Sequence, residues 1–414
     1  MKTIISLSAL LVSVVLVQMG IGSLRPFDTI SGQALGFSSI EIGFIASGHF
    51  AGFLLGCLFS PNLVKRVGHS RAFAVMAGVA VISIIAHPIY PDPLFWAFIR
   101  VFAGFSVAGC YTLIESWLQA KVTNEIRGKV FSIYRVVDMS GQLLASGIIA
   151  TLSPASYISY NLIAIIMCLS ILPLALTQSK EPALPEQVRY RPFFAYSVSP
   201  LAALGVIVAG ISTATFGSVG PIYAIAVGLD LTEIAFFLVL LILGGLTAQI
   251  PAGILSDRFS RRVVLMIFSI MATVLCIGMA TPLVYMSVSG VKLVFVFSFL
   301  FGFTTLPIYS ICAAHASDFL KPTEMLSLSA SLIFLYAAGA IVSPLIAGWL
   351  IDTYSPSMMF TFISAAHLML MLFTIYRNFA RPVVAFGRRY AYVPRTSLFI
   401  ASIVKGRRSN REGG

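Results

Sequence analysis

The sequence predicts an all-α integral membrane protein, with twelve transmembrane helices in two pseudo-symmetric six-helix halves. Three observations predict it. Of 414 residues, 58% are hydrophobic and only 10% are charged, whereas an average soluble domain is about 25% charged. The apolar residues gather into twelve runs long enough to cross a bilayer. A pattern from the first half of the chain recurs in the second.

The composition excludes other classes first. A soluble chain with mean hydropathy +0.95 has too few polar residues to cover its core, and a disordered chain needs the opposite bias. Barrel strands would be short and alternating, so long continuous runs mean helices. The net charge of +12 does not point to nucleic acid, because no gap between runs is long enough for a basic binding domain. Cys57, Cys110, Cys168, Cys276 and Cys312 all lie inside apolar runs. They read as small hydrophobes, not a disulfide framework or metal site. The N-terminal run has no small-residue cleavage site before Arg25-Pro26, so it is expected to be a first span, not a secretory signal.

A span needs about 20 apolar residues. The runs are 4–24 (with an extension to about 34), 41–60, 72–90, 94–118, 128–151, 157–177, 199–221, 232–255, 263–284, 290–315, 325–350 and 357–377. With the N-terminus inside, 23 of the 27 basic residues fall on the cytoplasmic side, and only Arg25 and Lys292 on the other. This bias places both termini in the cytoplasm of a multi-pass inner-membrane protein. Nine basic residues lie from Arg377 onward, where they would also favour anionic lipid.

The repeat fixes the domain plan. Gly36-Phe37-Ser38-Ser39-Ile40-Glu41-Ile42-Gly43-Phe44 recurs 192 residues later as Gly228-Leu229-Asp230-Leu231-Thr232-Glu233-Ile234-Ala235-Phe236. Gly104-Phe105-Ser106, with Tyr111-Thr112, recurs at an offset of 198 as Gly302-Phe303-Thr304 with Tyr309-Ser310. The plan is a first half over 1–177, a cytoplasmic linker over 178–198, a second half over 199–377 and a basic tail over 378–414. Six spans return the chain to the same side, so the halves are parallel repeats, with a substrate site expected between them near the midplane.

Gly253-Ile254-Leu255-Ser256-Asp257-Arg258-Phe259-Ser260-Arg261-Arg262, between spans 8 and 9, resembles the G-x-L-x-D-R-x-x-R-R signature of the major facilitator superfamily. Arg100 followed by Gly104 resembles its span-4 arginine motif. Ile114-Glu115-Ser116-Trp117-Leu118 and Arg127-Gly128 are similar to its YcaD-like bacterial branch. The resemblance covers nearly the whole chain before the tail. It implies secondary active transport by rocking of the halves, with proton coupling as the leading expectation. Two departures stand out: Lys65 occupies the first-half position of Asp257, and span 5 has Ser140-Gly141-Gln142 where drug/proton antiporters carry a Gly-Pro motif.

Charges within spans are costly and therefore informative. Arg100 and Glu115 lie in span 4, Arg135 and Asp138 in span 5, and all four positions are uncharged at offset 198. At 1.5 Å per residue, Asp138 lies about 15 Å from the cytoplasmic end, near the midplane. It is expected to carry a proton or contact substrate, alongside Arg135 and Gln142 on the same helix face. Glu115 and Arg135 are expected to meet across the helix pair, as a clasp or with Glu115 carrying a proton. Arg100, by the resemblance, would tune a nearby carboxylate. Tyr111, Tyr134, Gln249, Tyr309 and Tyr336 are cavity candidates. Arg25 and Asp28 read as a surface turn, with an outer gate as the other reading. His49, His315 and His367 are expected to be neutral and hydrogen-bonded. Gly48, Gly52 and Gly56 form a small-residue packing stripe.

A cytoplasmic gate is expected from the two motif loops. Gly253, Asp257, Arg258, Arg261 and Arg262 would face Arg127 and Lys129, while Lys65 and Arg66 would face Asp318 and Glu324. The sign reversal at Lys65 then reads as a charge swap. No metal cluster, cofactor motif or acid–base constellation of an enzyme is visible. The expectation is a monomeric transporter of a small solute, weighed against an uncoupled facilitator and, from another class, a membrane sensor or scaffold.

Overall fold

The computed structural model describes residues 2–121, 127–176, 191–288, 291–320 and 324–380. Its spanning helices are α1 (Lys2–Ala34), α2 (Ser39–Val67), α3 (His69–Ala86), α4 (Pro93–Lys121), α5 (Arg127–Ile148), α6 (Tyr157–Ala175), α7 (Pro200–Ala226), α8 (Leu231–Arg258), α9 (Arg261–Met279), α10 (Leu293–Ser317), α11 (Met325–Thr353) and α12 (Met358–Ala380). Ser170 interrupts α6, and Leu306-Pro307 interrupts α10, where proline cannot supply a helix N–H. Eleven of these are long and apolar enough to cross a membrane by composition alone. The twelfth is α5, which carries Arg135, Asp138, Ser140 and Gln142. Most of the expected linker and tail lies outside the described residues. So do the side chains of Asp257, Arg127 and Lys129.

The repeat seen in the sequence is a repeat of structure. Ser38 caps α2 and exchanges hydrogen bonds with Glu41; at the matching position Asp230 caps α8 and exchanges them with Glu233. Each capping box satisfies two orphan helix donors, at about 1 kcal/mol per cap. Gly36 and Gly228 precede them with φ of +82° and +81°, a conformation that favours glycine. In the first half α2 packs on α4, α1 on α5 and α3 on α6; in the second, α8 packs on α10, α7 on α11 and α9 on α12. The α2–α4 crossing is close because Gly52 lies against the Val101 carbonyl, and its counterpart Gly244 lies against that of Phe299. Without a side chain there, backbone meets backbone and dispersion holds the pair.

Contacts between the halves also follow the repeat, with α2 on α11 and α5 on α8, while α1 meets α7 on the pseudo-axis. Three sets of hydrogen bonds join them. The Thr29 hydroxyl donates to the Ser218 carbonyl, and Ser47 donates to the Ile341 carbonyl at 2.6 Å. The backbone N–H groups of Ser39 and Ile40 donate to the two oxygens of Asp352, at 2.9 and 2.8 Å. All of these lie in the half of the bundle that the Lys/Arg bias assigns to the outside. The innermost apolar seam contact, Phe50 with Ala214 and Ala340, lies about 16 Å along α2 from that end.

Two features depart from expectation. Arg25 and Asp28 are not a surface turn: α1 runs unbroken through Pro26 to Ala34, and Asp28 is only 2% exposed. The helix continues because its polar side chains find partners inside the bundle. A short strand pair, Ser287–Val288 with Val291–Lys292, closes the turn before α10.

Candidate functional site

The first half holds two separate charged clusters. The deeper one is built on Asp28. Its Oδ2 forms an ion pair with Arg100, 3.1 Å from Nε, and faces His87 Nε2 at 3.2 Å. The Tyr160 hydroxyl donates to Oδ1 at 3.2 Å. Four helices meet here, and none of these side chains is more than 2% exposed. His87 stacks on Tyr160, and the Trp96 ring packs edge-on to both. The carboxylate beside Arg100 is therefore Asp28.

Hydrogen-bond geometry fixes a proton in this cluster. His87 Nδ1 lies 2.7 Å from the Ser83 carbonyl. A carbonyl only accepts, so Nδ1 carries a hydrogen. Nε2 then faces the carboxyl oxygen of Asp28.

The second cluster surrounds Asp138 on α5. Arg135 Nη1 lies 3.2 Å from Oδ2, and Gln142 donates to the same oxygen at 3.4 Å. Gln18 of α1 donates to Oδ1. Asp138 is buried, while the side chain of Arg135 is 66% exposed. Glu115 is also exposed, and it accepts a hydrogen bond from the Tyr134 hydroxyl at 3.4 Å. The expected Glu115–Arg135 clasp is not formed; Arg135 turns along its own helix to Asp138, one turn away. Tyr111 lies within electrostatic reach of Asp138 and Tyr134. From the second half, Tyr309 and Tyr336 meet edge to face at 5.7 Å. Gln249 lines a cleft between α8 and α10 with Gly253, Pro307 and Ser310.

Arg25 sits between the two clusters. Its guanidinium lies 5.8 Å from the centre of the Phe50 ring. It also faces Gly217 of α7, where even a methyl group would touch Nη1.

At the gate, Arg261 pairs with Asp318 at 3.3 Å, and Arg262 donates to the Arg377 carbonyl at 3.3 Å. These bonds stay within the second half. Lys65, Arg66, Gly253 and Arg258 are exposed, and Glu324 is half-buried; the expected contact of Lys65 with Asp318 and Glu324 is not made in this conformation. Of the three histidines expected to be hydrogen-bonded, His367 meets the Ser212 hydroxyl at 2.8 Å. His49 and His315 pack edge-on against Phe50 and Phe319.

His87, Tyr160 and Gln18 are site residues that the sequence reading does not single out. The usable signal is polarity inside an apolar run, with Ser83 one turn before His87.

The Major Facilitator Superfamily model matches residues 10–200 and 202–400. The chain is 23% identical over 340 residues to the MFS-type transporter YcaD of Salmonella newport (strain SL254), covering 80% of this chain and 85% of that one. The same figures hold for the Salmonella typhi protein. Among solved structures, the nucleoside transporter NupG superposes with a TM-score of 0.72 at 11% identity, over 91% of this chain and 98% of that one. A D-xylose–proton symporter superposes with 0.65 at 15% identity, over 95% and 98%. With twelve spans in two matching halves and a family match over nearly its whole length, this chain belongs to the major facilitator superfamily of membrane transporters.

Proposed function

We propose that this protein is a proton-coupled secondary transporter of the inner membrane, moving a small solute by alternating access with both termini in the cytoplasm. The Lys/Arg distribution supports the orientation. With that orientation the seam is closed outside and the cleft bearing Glu115 and Arg135 opens inward. The xylose–proton and nucleoside transporters that share the fold are consistent with a small polar solute.

The observation that carries this reading is the contact of His87 Nε2 with Asp28 Oδ2 at 3.2 Å. It is buried, and it lies beside the moving seam: Thr29, the residue after Asp28, makes the α1–α7 contact. Parting α1 from α7 exposes that shell to the outside, so opening and proton exchange are linked. Asp138, reachable from the inward cleft, is the carboxylate that would contact substrate or pass the proton inward.

A metabolite and drug uptake screen in proteoliposomes, with and without a pH gradient, tests this. Wild type is expected to accumulate its solute only with the gradient. His87→Gln keeps a donor toward Asp28 but cannot exchange a proton, so it should equilibrate solute without concentrating it. Accumulation that survives collapse of the gradient in wild type would instead mark an uncoupled facilitator.

A further inference from the structure

We infer that Arg25 is the anchor for an oxyanion on the transported solute, so that the substrate is a small organic anion with an aromatic or apolar body. This deepens the transporter reading above and rests on it.

Charge accounting within the first half leads to Arg25. Three arginines (Arg25, Arg100, Arg135) and three acids (Asp28, Glu115, Asp138) face the interior. Asp28 faces Arg100 and His87 and accepts from Tyr160. Asp138 is held by Arg135, Gln18 and Gln142. Glu115 lies near the opposite end of the cleft with Tyr134. Among the described residues, no acid forms an ion pair with Arg25.

A guanidinium cannot shed its proton; Arg25 is partly exposed, and a cation within a span needs a water-filled cavity or a counter-charge. The Phe50 ring lies against it, worth about 0.5–2 kcal/mol, and Tyr336 and Tyr111 lie within electrostatic reach. The missing partner is an anion, and the planar fork of an arginine suits carboxylate or phosphate.

Position supports the same reading. Arg25 lies one helical turn from Thr29, whose bond to Ser218 closes the seam. It therefore marks the closed end of the inward cleft. Across from it α7 presents Gly217, where an added methyl group would reach Nη1 at contact distance. Tyr336 from the second half lies within electrostatic reach of both Arg25 and Arg135. With Tyr309 set edge-on to Tyr336 and Phe50 behind the guanidinium, the walls suit an aromatic body.

The test uses the purified full chain in detergent, without any pH gradient. Thermal unfolding is followed with benzoate, phenyl phosphate and the neutral isostere benzamide, each to millimolar concentration. Wild type is expected to be stabilised saturably by at least one anion, with benzamide at least about 10-fold weaker, the loss of a charge-assisted bond. Preference between benzoate and phenyl phosphate identifies the oxyanion. Arg25→Gln should lose the anion preference, and Arg25→Lys should recover part of it. No anion-selective shift in wild type, or an unchanged preference in a folded Arg25→Gln, overturns the proposal. Should Arg25→Gln not fold, the anion-over-amide preference of wild type and the reduced affinity of Arg25→Lys decide it. Because no gradient is involved, failure here leaves the proton-coupling experiment standing.

Discussion

Nε2 of His87 lies 3.2 Å from Oδ2 of Asp28, across two helices and in a pocket sealed from solvent. That contact lies beside the buried Arg100, which pairs with the same carboxylate oxygen. Charges in the cluster can be offset only from within it, so its members depend strongly on one another.

Asp28→Leu should leave Arg100 as a buried cation without its counter-charge. Losing one partner of a buried pair costs about 3–5 kcal/mol, and chemical denaturation should register it. Arg100→Leu/Asp28→Leu should recover much of that loss. If the double variant is as unstable as the sum of the singles, the pair is not coupled as described.

Gln18 and Asp138 link α1 to α5 close to the cleft. Gln18→Leu and Asp138→Leu should show a coupling energy of about 1–3 kcal/mol in a double-mutant cycle on stability. Additivity within about 0.5 kcal/mol would argue against the contact.

Asp352 of the second half accepts from the first two N–H groups of α2 in the first. A carboxylate at a helix N-terminus contributes about 0.3–2 kcal/mol. Asp352→Asn should therefore weaken the outer seam and raise the outward-open population. Spin-label distances between the outer ends of α2 and α11 should lengthen in a larger fraction of molecules than in wild type.

Gly52→Leu and Gly244→Leu should each abolish a well-folded product, because the new side chain meets backbone carbonyls of Val101 or Phe299. Size-exclusion profiles of the two variants should fail alike, as repeat mates. A monodisperse Gly244→Leu would break the structural equivalence.

Arg261 pairs with Asp318 in this conformation, and the contact of Lys65 with Asp318 and Glu324 is proposed for the opposite state. Lys65→Glu should slow transport, and adding Glu324→Lys should partly restore it. Absence of rescue in uptake assays would remove that contact from the gate.

The repeat and the spans are readable from sequence because they depend on local chemistry. Ser38 with Glu41 and Asp230 with Glu233 are three residues apart, and capping is settled within one turn. Asp28 defeats a sequence reading for the converse reason. Arg25-Pro26-Phe27-Asp28 looks like a turn, and the residues that make burial tolerable, His87, Arg100 and Tyr160, lie up to 132 positions away. Asp138 is legible on α5 with Arg135 and Gln142 because those partners sit within one turn. Gln18, from another helix, is not. The expected Glu115–Arg135 contact fails on a choice between two acids of similar reach, which only packing decides.

The Asp352 bond has a consequence for how the outer door swings. Its receiving end is a helix terminus that already owns a latch, the Ser38–Glu41 box. Releasing Asp352 therefore frees the hinge without unravelling the rod. Parting this contact need not melt a turn of α2.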